Sequence, residues 1–443
     1  MIYRGSLLSS KQEIEGYRGD FLIGSCGNFL MAKYQPKLYK DLFKTKLYLN
    51  VRDFNKNTLV IGKMGSGKSN LLKYITAVFS QKNRFIIHDV KGEYVENFYE
   101  EGDVIFNMLD ERGVLWDVLR DCKGDSMLAR TVFYNMVSSY NKGEDAQFWT
   151  VKAVEVLQDM LSKISLTEPR DVAIQIFQYY RQRTEKATGE TEKSALGTAQ
   201  PVLQVLLDIY SLAHMSKKPL LRGEEILQRP KVFLVFLPEF SKSLLILNQG
   251  FLGFAFTKYL SRPDVRDFKD YTFFILDEYL SFNFEEELEK QVLTLARSKG
   301  MCLFLGMQFL PVDSKDRLSL FLNSRQFTFC FRVDAIETAK VLSESSGVLE
   351  YAVESISMGE KDTGLNPLEP LTGTGTVSVS QSRLQTFTVP PEVFLDLPDF
   401  VAYCEINTMK GKLKTFVKPV WYDMTARSRG FIRDENSKQL KSL

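Results

Sequence analysis

Two histidines and five widely spaced cysteines are all that this 443-residue chain offers to zinc or to nucleophile–imidazole chemistry. Cys26, Cys122, Cys302, Cys330 and Cys404 are odd in number and form no Cys-x-x-Cys pair, which argues against a disulfide framework and a zinc module and fits a reducing compartment. With only His88 and His214, a histidine metal centre or a Ser-His-Asp triad has almost no raw material. An excess of one charge is missing too. The 57 basic residues against 55 acidic ones leave a net charge of +2, so any electropositive surface is a local patch. Long apolar runs are also lacking. The first residues soon meet Lys11, Glu13, Glu15, Arg18 and Asp20, which leaves no signal-peptide core. Leu244 to Leu260 is interrupted by Asn248, Gln249 and Lys258 and falls short of the roughly 20 residues a bilayer requires, so it reads as a buried helix. The remaining composition, 44% hydrophobic and 25% charged, has the balance of a soluble globular protein with room for two or more packed units.

Along the chain, residues 1–56 hold short apolar stretches between polar turns and predict a β-rich extension laid against the edge of the next domain. Thr58 to Ile61, a glycine loop, and Asn70 to Phe79 with apolar residues at helical spacing then read as strand, loop and helix. Further β segments at Arg84–Asp89 and Asp103–Phe106 alternate with helical ones, the signature of an α/β fold around a parallel sheet with covered faces. Between about Leu119 and Gln228 the pattern becomes amphipathic helix, at Phe148–Ile164, Arg170–Lys186 and Leu196–His214, and predicts an all-α insertion. The β pattern resumes at Val232–Leu237, Tyr271–Leu276, Met301–Gly306, Phe327–Val333 and Phe400–Cys404. Residues 357–385, rich in Gly, Thr and Ser, read as a mobile loop, and the tail after Thr425 as charged and loosely ordered. The expected organisation is therefore 1–56 extension, 57–118 first part of a nucleotide-binding domain, 119–229 helical insert, 230–425 second part, and 426–443 tail.

The chemistry is concentrated in three places. Gly62-Lys63-Met64-Gly65-Ser66-Gly67-Lys68-Ser69 fits GxxxxGK[ST], in which glycines let backbone N–H groups turn inward around phosphate oxygens and the next helix points its positive end at the same anion. Gly62, Gly65, Ser66, Gly67, Lys68, Ser69 and Asn70 are the expected nucleotide-binding residues, with Lys68 reaching the terminal phosphates and the Ser69 hydroxyl ligating magnesium. Phe273-Phe274-Ile275-Leu276 is an apolar strand ending in Asp277 and Glu278. The first acid suits the metal and the second the polarisation of attacking water. A third strand, Met301 to Met307, closes at Gln308, placed to sense the γ phosphate or the water. Arg297 just before it has the planar permanent cation that an arginine finger for a neighbour's nucleotide requires, though alone it is equally consistent with a solvated surface residue. The cofactors expected are ATP and Mg2+.

Several further segments, in order, resemble those of the type IV secretion coupling proteins, the TraD-like ATPases that drive DNA toward conjugative channels. They are His88-Asp89-Val90-Lys91-Gly92-Glu93-Tyr94; Asn107-Met108-Leu109-Asp110-Glu111-Arg112 with Trp116-Asp117; Gln147-Phe148-Trp149; and Leu295-Ala296-Arg297-Ser298-Lys299-Gly300 running to Gln308. The resemblance covers about residues 57–425. It implies a RecA-like nucleotide domain interrupted by an all-α domain, a homo-hexameric ring with ATP between subunits, sequence-independent DNA contact through phosphates, and a relaxase and channel components as partners. Met108 stands where the family commonly has proline. The family's membrane-spanning start is not visible, so the expected location is the cytoplasm, peripheral to the inner membrane through a partner. A long C-terminal cargo-recognition tail is also absent, which points partner selection toward the helical insert. Basic residues available for a DNA path are Arg181, Arg183, Lys186, Lys193, Lys410, Lys412 and Lys414. A ring translocase of the FtsK type, or a nucleotide-gated docking platform for protein cargo, would share the motor residues. DNA-stimulated turnover and partner binding separate the three.

Overall fold

The computed structural model describes residues 2–5, 8–17, 19–27, 44–49, 53–54, 56–216, 218–236, 241–359, 376–408, 411–423 and 425–439. An eleven-stranded sheet runs in the order Thr45–Leu49, Phe21–Gly27, Gly411–Pro419, Ala402–Thr408, Arg325–Cys330, Asn57–Ile61, Met301–Met307, Thr272–Leu276, Arg84–Asp89, Lys231–Val235, Val104–Phe106. From Arg325–Cys330 onward every adjacent pair is parallel, and the first four strands join antiparallel at one edge. Strands covered on both faces need uninterrupted apolar runs, and Phe273-Phe274-Ile275-Leu276 shows why. Phe273 and Ile275 join the core on one face, with Leu71, Leu72, Ile75 and Phe79 of the Lys68–Phe79 helix, while Phe274 and Leu276 join the core on the other. The Phe273 ring stacks on Phe79 at 5.2 Å and on Phe304 at 5.6 Å. Each fully buried ring of this kind contributes about 1.5–3 kcal/mol, which fixes the helix, and with it the glycine loop, against the sheet.

The chain leaves the sheet region at Leu115–Trp116 and returns at Leu220–Leu221, two short strands paired in parallel. Between them lie the helices Ser126–Ser138, Ala146–Lys163, Pro169–Lys186 and Glu190–Met215. Asp125 caps the first by accepting the Leu128 N–H at 2.9 Å, and Pro169 opens the third, where its missing N–H costs nothing. The Ser241–Leu260 helix is buried through its middle and packs against the first of them. Its polar Gln249 is satisfied by donating to Ser138 Oγ at 3.0 Å and the Asn283 carbonyl at 2.7 Å. Among the described residues no helix is long and apolar enough to cross a membrane.

Two expectations need correction. The described part of 357–385 is strand, not loop: Val348–Gly359 and Thr376–Phe387 pair antiparallel over twelve residues each, and Ile2–Gly5 adds a third strand. The alternation Thr376-Val377-Ser378-Val379-Ser380 has the strand period of two, which outweighs a Ser/Thr-rich composition. Residues 360–375, like Asn50, Val51, Leu237 and Lys410, lie outside the described residues. The tail after Thr425 is docked through residue 434, where the Glu111 N–H donates to the Ile432 carbonyl at 2.7 Å and the Asp434 N–H to the Leu109 carbonyl at 2.9 Å.

Candidate active site

Because the central strands are parallel, their C-terminal ends share one edge of the sheet, and the loops that leave them converge there. The Gly62–Ser69 loop leaves the Asn57–Ile61 strand and enters the Lys68–Phe79 helix, whose N-cap, Gly67, has no side chain to satisfy the first N–H groups. Gly67 holds φ +117°, and a Cβ there would lie 3.0 Å from the rings of both Phe331 and Phe400. The Gly62, Lys63 and Ser66 N–H groups fix the loop by donating to the Met307, Arg332 and Lys63 carbonyls, and those of Gly65, Gly67, Lys68 and Ser69 are left to turn toward an anion, the arrangement a phosphate needs. The Lys68 ammonium donates to the loop's own Gly62 and Lys63 carbonyls at 2.6 and 3.1 Å. Burial pulls its pKa below the ordinary lysine value, and the Asp277 and Glu278 charges push back.

More than two hundred residues later the chain delivers the acids. The Ser69 hydroxyl donates to Asp277 Oδ2 at 3.0 Å, so both residues expected to hold magnesium already touch. Gly306, on the neighbouring strand, makes room for this carboxylate: a Cβ there would fall 2.6 Å from Asp277 Oδ1. Glu278 adopts the left-handed conformation, φ 57° and ψ 45°, which costs a non-glycine residue roughly 1–2 kcal/mol. The conformation is held from both sides. Gln308 Nε2 donates to both Glu278 carboxylate oxygens at 3.0 Å, and the ring of His88 meets the Asp277 carbonyl at 2.6 Å through Nδ1. His88 is enclosed, and burial lowers its pKa, so it is a neutral donor. Glycines, Lys68, Ser69, Asn70, Asp277, Glu278 and Gln308 thus surround one cavity of about 580 Å³.

The structure adds residues that motif reading passed over. Lys73, one turn beyond Asn70, is buried and pairs with Glu93, which is partly exposed in the same cavity. Asp89 is enclosed and accepts the Tyr94 and Val95 N–H groups at 2.9 Å, and burial raises its pKa to about 6 despite those bonds. Phe400 and Trp421 come from the C-terminal part of the chain. Asp89, Glu93 and Tyr94 all belong to the 88–94 segment, which could have signalled them; nothing local marks Phe400 or Trp421. Arg297, by contrast, is exposed at the start of the Met301–Met307 strand, the end away from the glycine loop, and its own site is roughly 20 Å off along that strand. Of the basic residues considered for DNA, Arg181 and Arg183 are paired with Glu185 and Glu192, and Lys412 with Glu405. Lys414 is buried, its ammonium donating to the Ser346 carbonyl at 2.6 Å, and so faces no surface.

The fold is similar to that of the bacterial conjugative coupling protein TrwBdeltaN70 in its unbound monoclinic form, with a TM-score of 0.70 at 18% identity over 98% of this chain and 97% of that one. The plasmid coupling protein TrwB in complex with the non-hydrolysable ATP analogue ADPNP matches with a TM-score of 0.70 and 18% identity, covering 98% of each chain. The same protein in complex with ADP and Mg2+ matches at 0.69 and 18%, again over 98% of each. No curated protein sequence matches the chain. The family model described as the type IV secretion-system coupling protein DNA-binding domain matches residues 44–408. That span takes in the glycine loop, the Asp277–Glu278 strand end and the whole helical excursion between them, and the chain belongs to the family of type IV secretion-system coupling proteins.

Proposed function

We propose that this chain is an ATPase that binds ATP with Mg2+ on the Gly62–Ser69 loop and couples its hydrolysis to moving DNA, with an attached relaxase, toward a type IV secretion channel. One observation carries the reading: Ser69 and Asp277, 208 positions apart, meet at 3.0 Å beside a cradle of uncapped helix amides. The residues fit the cofactor. Gly65 and Gly67 present backbone amides, Gly62, Ser66 and Asn70 hold the loop and the start of its helix in place, Lys68 faces the phosphates, and Ser69 with Asp277 forms a hard oxygen pair of the kind magnesium selects. When bound, the metal neutralises charge on the phosphate oxygens. Glu278 orients and deprotonates water, and Gln308, which fastens both carboxylate oxygens, sets where that carboxylate points.

Family membership supports a homo-hexameric ring as the active form, and in such a ring Arg297, too far from its own loop to serve it, faces a neighbour's. The protein works on the cytoplasmic side, docked to the inner membrane through a partner, and the helices within 119–229 form the unit that selects cargo. In Lys68→Ala, ATP turnover is lost. Glu278→Gln keeps ATP binding but loses hydrolysis by a factor of at least about 100, measured by ligand titration beside phosphate release. Turnover in wild-type protein rises with added DNA and falls with salt. Wild-type turnover in Glu278→Gln removes the acid's role, and a rate indifferent to DNA removes the translocase reading.

A further inference from the structure

Glu278 sits in a left-handed backbone conformation, and strain of this kind persists only where the surroundings over-determine it. Gln308 fixes the carboxylate, but a carboxylate is aimed only as well as the backbone that carries it. That backbone is held through the residue that follows. Tyr279 opens a short 3-10 turn, Tyr279–Ser281, in which the Ser281 N–H donates to the Glu278 carbonyl at 2.9 Å. The Tyr279 side chain is buried, and its hydroxyl donates to Glu289 Oε1 at 2.9 Å on the Glu286–Leu295 helix. Glu289, itself buried, is gripped by Arg317 near the start of the Lys315–Ser324 helix, Nε to Oε2 and Nη2 to Oε1, both at 2.8 Å. The planar fork of an arginine sets the direction of a carboxylate as well as its distance.

These bonds close a circuit around the acid. Gln308 and Arg317 lie on one stretch of chain; the first holds Glu278 directly, and the second holds it through Glu289 and Tyr279. A hydroxyl is not needed to fill this part of the core. The Tyr279 ring already meets Phe284 at 5.9 Å and Phe321 at 5.7 Å, contacts that a phenylalanine would make as well. Nor is a buried ion pair an efficient source of stability, since desolvation of its charges offsets much of their attraction. What the hydroxyl, Glu289 and Arg317 supply is direction. We infer that Tyr279, Glu289 and Arg317 are positioning residues for hydrolysis: they hold the Glu278 backbone in the conformation from which its carboxylate meets both Gln308 and the attacking water. The inference rests on the role proposed above for Glu278. None of the three lines the nucleotide cavity, so binding of nucleotide is independent of them and only the chemical step depends on them.

Tyr279→Phe tests this, since it removes one oxygen and keeps the ring. Phosphate release by the full chain over a range of MgATP gives kcat and KM, and calorimetry with MgADPNP gives affinity without turnover. We expect kcat to fall roughly ten- to a hundredfold, the effect of a small misplacement of a reacting group, while KM and ADPNP affinity stay within about twofold of wild type. Arg317→Lys keeps the charge but not the fork and gives a smaller loss of the same kind. If Tyr279→Phe does not fold, Arg317→Lys carries the test, and an unchanged kcat there counts against the inference. Tyr259→Phe is the control. It removes an equally buried hydroxyl, which donates to Thr272 Oγ1 at 2.7 Å at the far end of the strand that delivers Asp277 and Glu278, and it leaves kcat unchanged. Wild-type kcat in Tyr279→Phe, beside an inactive Glu278→Gln, overturns the positioning role and leaves the acid in place. So does a parallel loss of ADPNP affinity, which would make the network a support of the phosphate site. An equal fall in kcat in Tyr259→Phe overturns it too, as a general softening of the core. Wild-type turnover in Glu278→Gln would instead remove the acid's role, and the positioning network with it.

Discussion

Asp89 and Glu278 both border one cavity and meet opposite fates. Glu278 keeps a partly open carboxylate on a strained backbone because Gln308 and the Asp277 peptide hold it there. Asp89 is enclosed, and its two short bonds from the Tyr94 and Val95 amides only partly offset the desolvation that lifts its pKa to about 6. A carboxyl group whose pKa is higher in the folded than in the unfolded chain holds its proton more tightly when folded. Its contribution to stability is therefore greatest below the ordinary value of 3.8 and is lost as pH rises through 6. Asp89→Asn keeps an oxygen for the two amides and removes the titration. Between about pH 5 and pH 7 the wild type should lose on the order of 1 kcal/mol more stability than the variant, read as the difference between two pairs of urea unfolding curves. Identical slopes would mean that Asp89 is not protonated in the folded protein at the lower pH.

At the scale of elements, the Asn107–Arg112 segment shows that a motif can be diagnostic without touching the chemistry. Asp110 accepts from Arg112 N at 2.9 Å, from Arg112 Nε at 3.0 Å and Nη2 at 2.9 Å, and from Ile432 N at 3.1 Å, so it closes its own turn and fastens the C-terminal segment. Nearby, Lys218 and Asp434 form a buried ion pair at 2.7 Å, and the Lys218 ammonium also donates to the Met108 carbonyl at 2.8 Å. Removing one partner leaves an unpaired charge in a site largely shielded from water. Asp434→Ala should cost about 3–5 kcal/mol, lower the urea midpoint and expose 425–439 to limited proteolysis, with Lys68-dependent nucleotide binding still measurable below the transition. An unchanged midpoint would assign the docking to the backbone bonds of Glu111 and Asp434 instead. The same lesson applies to the Val348–Gly359 and Thr376–Phe387 hairpin, where the period of two decides the element and the composition misleads.

For the whole molecule, the parallel order of the central strands separates Arg297 from its own glycine loop by the length of the sheet. If the ring pairs Arg297 of one subunit with the nucleotide of the next, mixing Arg297→Ala with Lys68→Ala protein creates some interfaces with both residues intact. Turnover should then recover to a measurable fraction of wild type, where each variant alone is at least about a hundredfold slower. No recovery in mixed rings verified by mass would end the trans role.

Much of the site was legible because it is local. Gly62 to Ser69 carries its geometry in consecutive residues, and an apolar strand ending in Asp277-Glu278 announces where its acids emerge. Both the alternation of strands and helices and the long amphipathic run between them come from periodicities of two and 3.6 that need no neighbour to be read. Tertiary structure alone decided that Asn70 would tie down Val420 and Tyr422, that Phe400 and Trp421 would wall a cleft beside Gly67, that Lys73 would find Glu93, and that the tail would lie along Leu109 to Glu111. These pairs depend on the order in which strands enter the sheet, and strand order is fixed by how buried faces pack against one another, a property of the assembled core that no spacing along the chain records.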